Sequence, residues 1–171
     1  MPGIDDAPGM TMEELISSCE LYLSAAQMEL FRTLSLSAND ASAFPENSFA
    51  RNYIAWEISF RNSIAKLRAA RLNVDPSAFL HADGSYDTEA DRGAREAFNA
   101  ENPLEREKLL DRARWNKIDE LVFGNLFNFN ALCAYKLKLE IQLKWNARSA
   151  ERSAENLDLA ASEVRKEKEA V

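Results

Sequence analysis

Large apolar residues recur at intervals of three and four over long stretches of this chain, the spacing of helices with one buried face. The pattern is clearest from about Phe49 to Leu72. There Phe49, Tyr53, Trp56, Phe60, Ile64 and Leu67 fall on one stripe, and Ile54, Ile58 and Leu72 widen the arc. Asn73 to Pro76 stops this helix, because proline disfavours the helical conformation in the residue before it. Upstream, Thr11 with Glu14 and Ser24 with Gln27 are capping-box patterns. They predict short helices from Met12 to about Leu23 and from Ser24 through Met28, Leu30 and Phe31. Residues 1–10, rich in Gly, Pro and Asp, read as a flexible lead. Residues 35–47, with Ser, Ala, Asn, Asp and Pro45, read as a loop.

Farther along, 81–87 (HADGSYD) form a second polar loop, and Thr88 is expected to cap a charged helix through Ala94 and Phe98. Asn102-Pro103 marks the next start: Asn caps well, and Pro at the first helical position gives up no hydrogen bond. Glu105 is placed to complete that cap. The helix continues through Leu109, Leu110, Ala113, Ile118, Leu121 and Val122, and Gly124 is placed to end it.

The last segment carries two periods at once. Tyr135, Leu137, Leu139, Ile141, Leu143 and Trp145 alternate with Lys136, Lys138, Glu140, Gln142 and Lys144, which alone would read as a strand with one wet face. Only Ile141 is β-branched, however, and Gly and Pro are absent from Asn125 onward. Wound as a helix, the apolar residues sort into two stripes, Tyr135/Leu139/Leu143 and, roughly opposite, Leu137/Ile141/Trp145. Such a helix must be covered on two sides, so it lies centrally in a bundle or is shared with a partner. Beyond Trp145 large apolar residues nearly vanish, with Leu157, Leu159 and Val164 scattered among Arg, Glu, Ala and Ser. That stretch reads as a solvated extension, or as a helix protruding toward a partner. A weak echo links 62–68 (NSIAKLR) to 130–136 (NALCAYK), and chance likeness between amphipathic helices suffices to explain it.

Composition agrees with helix: Ala, Leu, Glu, Lys and Arg abound, while the 171 residues hold five Gly and five Pro. The fold expected is all-α, a helical bundle with long central helices and an extended C-terminal helix. One domain spans 12–145, after a lead (1–11) and before a charged extension (146–171). No apolar run approaches the ~18 residues of a membrane span, and Met1 to Met10 lacks a signal-peptide pattern. The expectation is a cytoplasmic protein without direct membrane insertion. A net charge of -7 disfavours a nucleic-acid partner. Cys19 and Cys133 lie far apart and read as small buried residues.

Chemistry is sparse. His81 is the only histidine, in a polar loop without a Ser or Cys motif beside it, and reads as a surface residue. Gly84, Gly93 and Gly124 stand alone rather than in a phosphate loop, and no Glu-x-x-His pair is present. No catalytic residue, cofactor or metal is expected. The unusual feature is a basic run on an acidic protein: Arg61, Lys66, Arg68 and Arg71 share one helix, with no acid between Glu57 and Asp75. Arg61 and Arg68 lie on one face, with Arg71 one turn on. They either pair with acids of neighbouring helices or form a contact face for an acidic partner, for which the planar guanidinium fork is suited. The residues proposed for partner binding are Arg61, Asn62, Arg68 and Arg71.

Three groups of motifs carry a resemblance. They are Tyr53-Ile-Ala-Trp-Glu-Ile-Ser-Phe-Arg-Asn62 with Leu67-Arg-Ala-Ala-Arg-Leu72; Glu101-Asn-Pro-Leu-Glu105 with Leu110-Asp-Arg-Ala-Arg-Trp115; and Asp119-Glu-Leu121 leading into Phe129-Asn-Ala-Leu132. In order and spacing they resemble an uncharacterised bacterial family encoded within operons for the V-type (archaeal-type) rotary ATPase. The likeness covers most of 12–145 and leaves the tail beyond Trp145 outside. The start departs from the family, whose members open with a short apolar segment before the Pro-rich lead. The resemblance implies an accessory or connector subunit, central-stalk-like, binding ATPase subunits of the stalk or membrane-ring region. Arg61-Asn62 and Leu67-Arg68-Ala69 are similar to motifs of the subunit that links stalk to ring. The alternative is a free-standing helical adaptor or assembly factor.

Overall fold

The computed structural model describes residues 3–81, 86–124 and 127–169, with side chains as far as Ser149. Asp83, Gly84 and the side chains of Leu157, Leu159 and Val164 lie outside the described residues. Both capping boxes form. Thr11 and Glu14 exchange bonds at the start of α1 (Met12–Glu20), and Ser24 and Gln27 do so at the start of α2 (Ala25–Thr33). The first helix stops three residues short of Leu23, because the second cap needs extended backbone at Ser24 (ψ 160°). Leu21 and Tyr22 are left exposed in the turn.

The long helix of the sequence pattern is α3 (Ser48–Leu72), capped by the Asn47 side chain and ended by Asn73 in the left-handed region. Its stripe is buried from Phe49 to Ile64, but Leu72 is 73% exposed, contrary to the expected arc. In that last turn it is Arg71, not Leu72, that meets the neighbouring helix α4 (Thr88–Phe98). The cap of α4 is Asp87 rather than Thr88: its carboxylate accepts from two N–H groups, those of Glu89 and Ala90, at 2.9 and 2.8 Å. A hydroxyl at the next position has no free end N–H left to serve. In α5 (Pro103–Val122) Asn102 caps alone, through Leu104 N–H, without a returning bond from Glu105. Gly124 follows with a φ of +81°, as a helix terminator requires.

The ambiguous alternating segment is helical. It forms the first half of α6 (Phe129–Glu169), a single helix of 41 residues. Six α-helices and two single 3₁₀ turns (Ala41–Ala43 and Ser77–Phe79) make up the described fold, which is all-α as expected.

Cross-helix bonds set the directions. Asn47 bonds Asn130 at 2.9 Å where α3 and α6 begin, so these two run parallel. Asp87 N–H reaches Ser59 Oγ, while Arg71 reaches the Phe98 carbonyl one helix length on, so α4 also runs parallel to α3. The loop between them returns along α3, held where Asn62 exchanges two bonds with the His81 backbone. Helix α5 runs back antiparallel to α6, pairing Asp119 with Lys138 and Asp111 with Lys144.

Both stripes of α6 are covered, and so is much of its polar complement. Leu137, Leu139 and Ile141 are fully buried, yet Lys136, Lys138 and Gln142 are at most 3% exposed. Each polar group ties in a different element. Lys136 Nζ donates to the Arg32 and Leu34 carbonyls, and Glu140 accepts from Leu36 N–H at 2.8 Å. Lys138 pairs with Asp119 over the Trp115 ring, and Gln142 donates to the Gly3 carbonyl at 2.8 Å. The lead is therefore irregular but docked, with Ile4 and Met10 against the core. Burial lowers the Lys136 pKa and raises that of Glu140, so desolvation outweighs their attraction at 3.7 Å. No helix among the described residues is long and apolar enough to cross a membrane.

Trp56 is 5% exposed and stacks on Phe60, ring centres 4.8 Å apart. Trp56→Ala is expected to cost about 3–5 kcal/mol in urea unfolding. Its indole N–H is buried without a partner, so Trp56→Phe should cost clearly less. A loss under ~1 kcal/mol for the alanine variant would refute this placement.

Candidate functional site

Glu57 has no exposed surface, although α3 places it among Tyr53, Ile54, Trp56 and Phe60. A carboxylate there survives ionised only if paired. Arg114 of α5 supplies Nε and Nη2 at 3.0–3.2 Å, and Arg61, one turn along α3, supplies Nε at 2.9 Å. Arg114 also donates to Asp111, itself 1% exposed, which accepts from Lys144 Nζ at 2.7 Å and Trp145 Nε1 at 2.9 Å. Lys144 and Arg148 share Glu107. The result is an alternating chain of charges, Arg61–Glu57–Arg114–Asp111–Lys144–Glu107–Arg148, which joins α3, α5 and α6.

The electrostatics follow from this pairing. Burial opposes the charge on Arg114, but the Glu57 carboxylate and its hydrogen bonds outweigh it, and the pKa is raised. The Glu107 carboxyl is held down at about 2, first by its bond from Arg148 and then by Lys144. Burial, reinforced by Glu57, pushes the Tyr53 phenol well up. Cys133 is buried, with its thiol pushed up to about 12 by burial, and Cys19 is buried and free.

Beside this network lies a cleft of about 560 Å³ between α3, the end of α4, α5 and α6. Its cations are Arg61, Arg68, Arg106, Arg114 and Lys144, and its one carboxylate is Glu107. Ile64, Phe98 and Leu110 provide apolar wall.

The four residues singled out from sequence separate here. Arg61 is bound inside the fold, to Glu57 and to the carbonyls of Leu36 and Ser37. Asn62 is 7% exposed and occupied by the His81 backbone. Arg71 lies over the Phe98 ring at 4.9 Å and donates to the Phe98 carbonyl. Arg68 is exposed on the cleft, with no ion-pair partner among the described residues. Sequence reasoning missed Arg106, Arg114 and Lys144. Arg114 lies within the quoted Leu110–Trp115 motif, but its partner Glu57 is 57 residues away, and periodicity holds no signal for that pairing. His81 is exposed, as expected. No group of three or more His, Cys, Asp or Glu that could hold a metal ion is present among the described residues.

A family profile described as "Protein of unknown function (DUF2764)" matches residues 92–158. The match takes in part of α4, all of α5 and α6 as far as Asp158. It agrees with the expectation of an uncharacterised family. No curated protein and no solved structure matches the chain.

Glu57→Gln removes the carboxylate that Arg61 faces and leaves Arg114 with Asp111 alone, and is expected to cost about 3–5 kcal/mol. By the same reasoning Arg61→Glu should lower the melting temperature strongly, whereas Arg68→Glu should leave it nearly unchanged. Equal losses would mean that Arg68 is also structural. The depressed Glu107 pKa contributes stability that is complete above the ordinary value of 4.5 and lost as pH falls toward about 2. The melting-temperature gap between wild type and Glu107→Gln should therefore close over that range.

Proposed function

We propose that this protein is a non-catalytic binding component: an accessory or connector (central-stalk-like) subunit of a bacterial V-type rotary ATPase, acting by protein–protein contact. The observation that carries the binding reading is the form of α6. Its first half is the buried spine of the bundle, and the same helix continues to Glu169, 41 residues against the 25 of α3. At 1.5 Å per residue that is a rod of roughly 60 Å. Near the end of its described side chains, Arg148 ties it to Glu107 of α5. A rod anchored in a bundle core transmits position and force to whatever holds its far end. The ATPase assignment rests on the likeness of motif order and spacing to the operon-encoded family. On this reading Arg61, Asn62, Arg68 and Arg71 mark the partner-facing side, with Arg68 as the residue within reach.

The test is an affinity pull-down of the tagged protein from its native host in mild detergent, with mass spectrometry of the partners. Stoichiometric recovery of stalk or membrane-ring subunits is expected, and Arg68→Glu should reduce it while the fold is retained. Recovery of no ATPase subunit with intact, abundant bait would overturn the connector reading and favour a free-standing helical adaptor or assembly factor.

A further inference from the structure

The Phe98 ring, at the end of α4, faces two guanidinium groups, Arg71 at 4.9 Å and Arg106 at 5.1 Å from its centre. Two like charges on one ring repel, and neither has an ion-pair partner among the described residues. Arg71 donates to the Phe98 carbonyl and Arg106 to the Ala100 carbonyl at 2.9 Å, both neutral acceptors. The Arg106 Nε–H is buried with no partner, and a donor left in that state is costly. Arg68, one turn before Arg71, opens on the cleft that Arg106 lines, again without an ion pair among the described residues. The other cations there, Arg61, Arg114 and Lys144, are already engaged by Glu57, Asp111 and Glu107. Among the described residues, Arg68, Arg71 and Arg106 thus have no counter-charge, on a chain of net charge -7.

We infer that Arg68, Arg71 and Arg106 form a receptor for the carboxylates of an acidic, amphipathic helix of a partner protein, with an apolar side chain of that helix seated against Ile64, Phe98 and Leu110. Guanidinium forks hold carboxylates by paired hydrogen bonds. The apolar wall gives a peptide an attachment that a free anion cannot use. A helix presents acidic and apolar groups on one side at i, i+3 and i+4, the pattern that such a cleft reads. The inference deepens the binding reading above but does not depend on the ATPase assignment, and its test needs only the purified protein.

The probe is a fluorescein-labelled helical peptide with glutamates and leucines on one face, followed by anisotropy, with a scrambled peptide of equal composition and inorganic phosphate as competitors. Saturable binding is expected, weakened at least tenfold by Arg68→Glu and less than threefold by Arg92→Glu. The latter makes the same charge change on an exposed part of α4 away from the cleft. The Nε–Hε NMR signals of Arg71 and Arg106 should shift on binding. Equal weakening by the two variants, equal binding of the scrambled peptide, or displacement by phosphate at matched concentration would each overturn the inference. If the peptide fails to bind while ATPase subunits still co-purify, only the cleft is refuted. If it binds while they do not, only the ATPase assignment is.

Discussion

A fully buried carboxylate on α3, Glu57, is the constraint around which the three longest helices are arranged. An ionised carboxylate in an apolar core costs many kcal/mol unless cations reach it. One cation, Arg61, comes from its own helix. The other must come from across the bundle, which holds Arg114 of α5 at hydrogen-bonding distance. Because Arg114 also binds Asp111, and Asp111 binds Lys144 and Trp145, the same requirement extends to α6. A slip of α5 by one turn would leave several charges unpaired at once. Apolar packing tolerates such slips better, since Leu and Ile make similar contacts in neighbouring registers. The network therefore acts on register rather than on the bulk driving force, which comes from the apolar cluster running from Leu15 to Ile141.

Helix α6 is buried on nearly every side over its first half, and it reconciles this with its lysines by using each as an anchor. A lysine head can be enclosed when carbonyls or a carboxylate replace its hydration, and its aliphatic stem adds apolar contact. Lys136 fastens the end of α2, Glu140 the segment after it, Lys138 fastens α5, and Gln142 the lead. Elements distant in sequence thereby dock on a single helix, which continues without a break to Glu169.

The arginines divide by the same logic. Those facing acids, Arg61 and Arg114, hold the fold together. Arg71 and Arg106 meet carbonyls and the Phe98 ring and have no ion pair among the described residues; Arg106 lines the cleft beside Arg68. A basic pocket on an acidic surface keeps its local field at short range, because the Debye length at physiological ionic strength is only ~8 Å. Partner choice by contact is then compatible with an overall charge that disfavours general anion binding.

Sequence alone determined the helices. Apolar period, capping boxes at Thr11 and Ser24, the Asn102-Pro103 start and the Gly124 stop are local signals, and all four governed the backbone as written. Local signals also explain the errors: Thr88 beside Asp87 offers two possible caps, and Leu72 satisfies the period of α3 without having a neighbour to pack against. What only the tertiary structure decided is which charges are buried. In sequence, Lys136 and Lys138 look like a wet face, and Arg61, Asn62, Arg68 and Arg71 look equivalent. Their fates differ because burial and pairing depend on residues tens of positions away, brought together when the helices pack, and a period of 3.6 carries no record of that encounter.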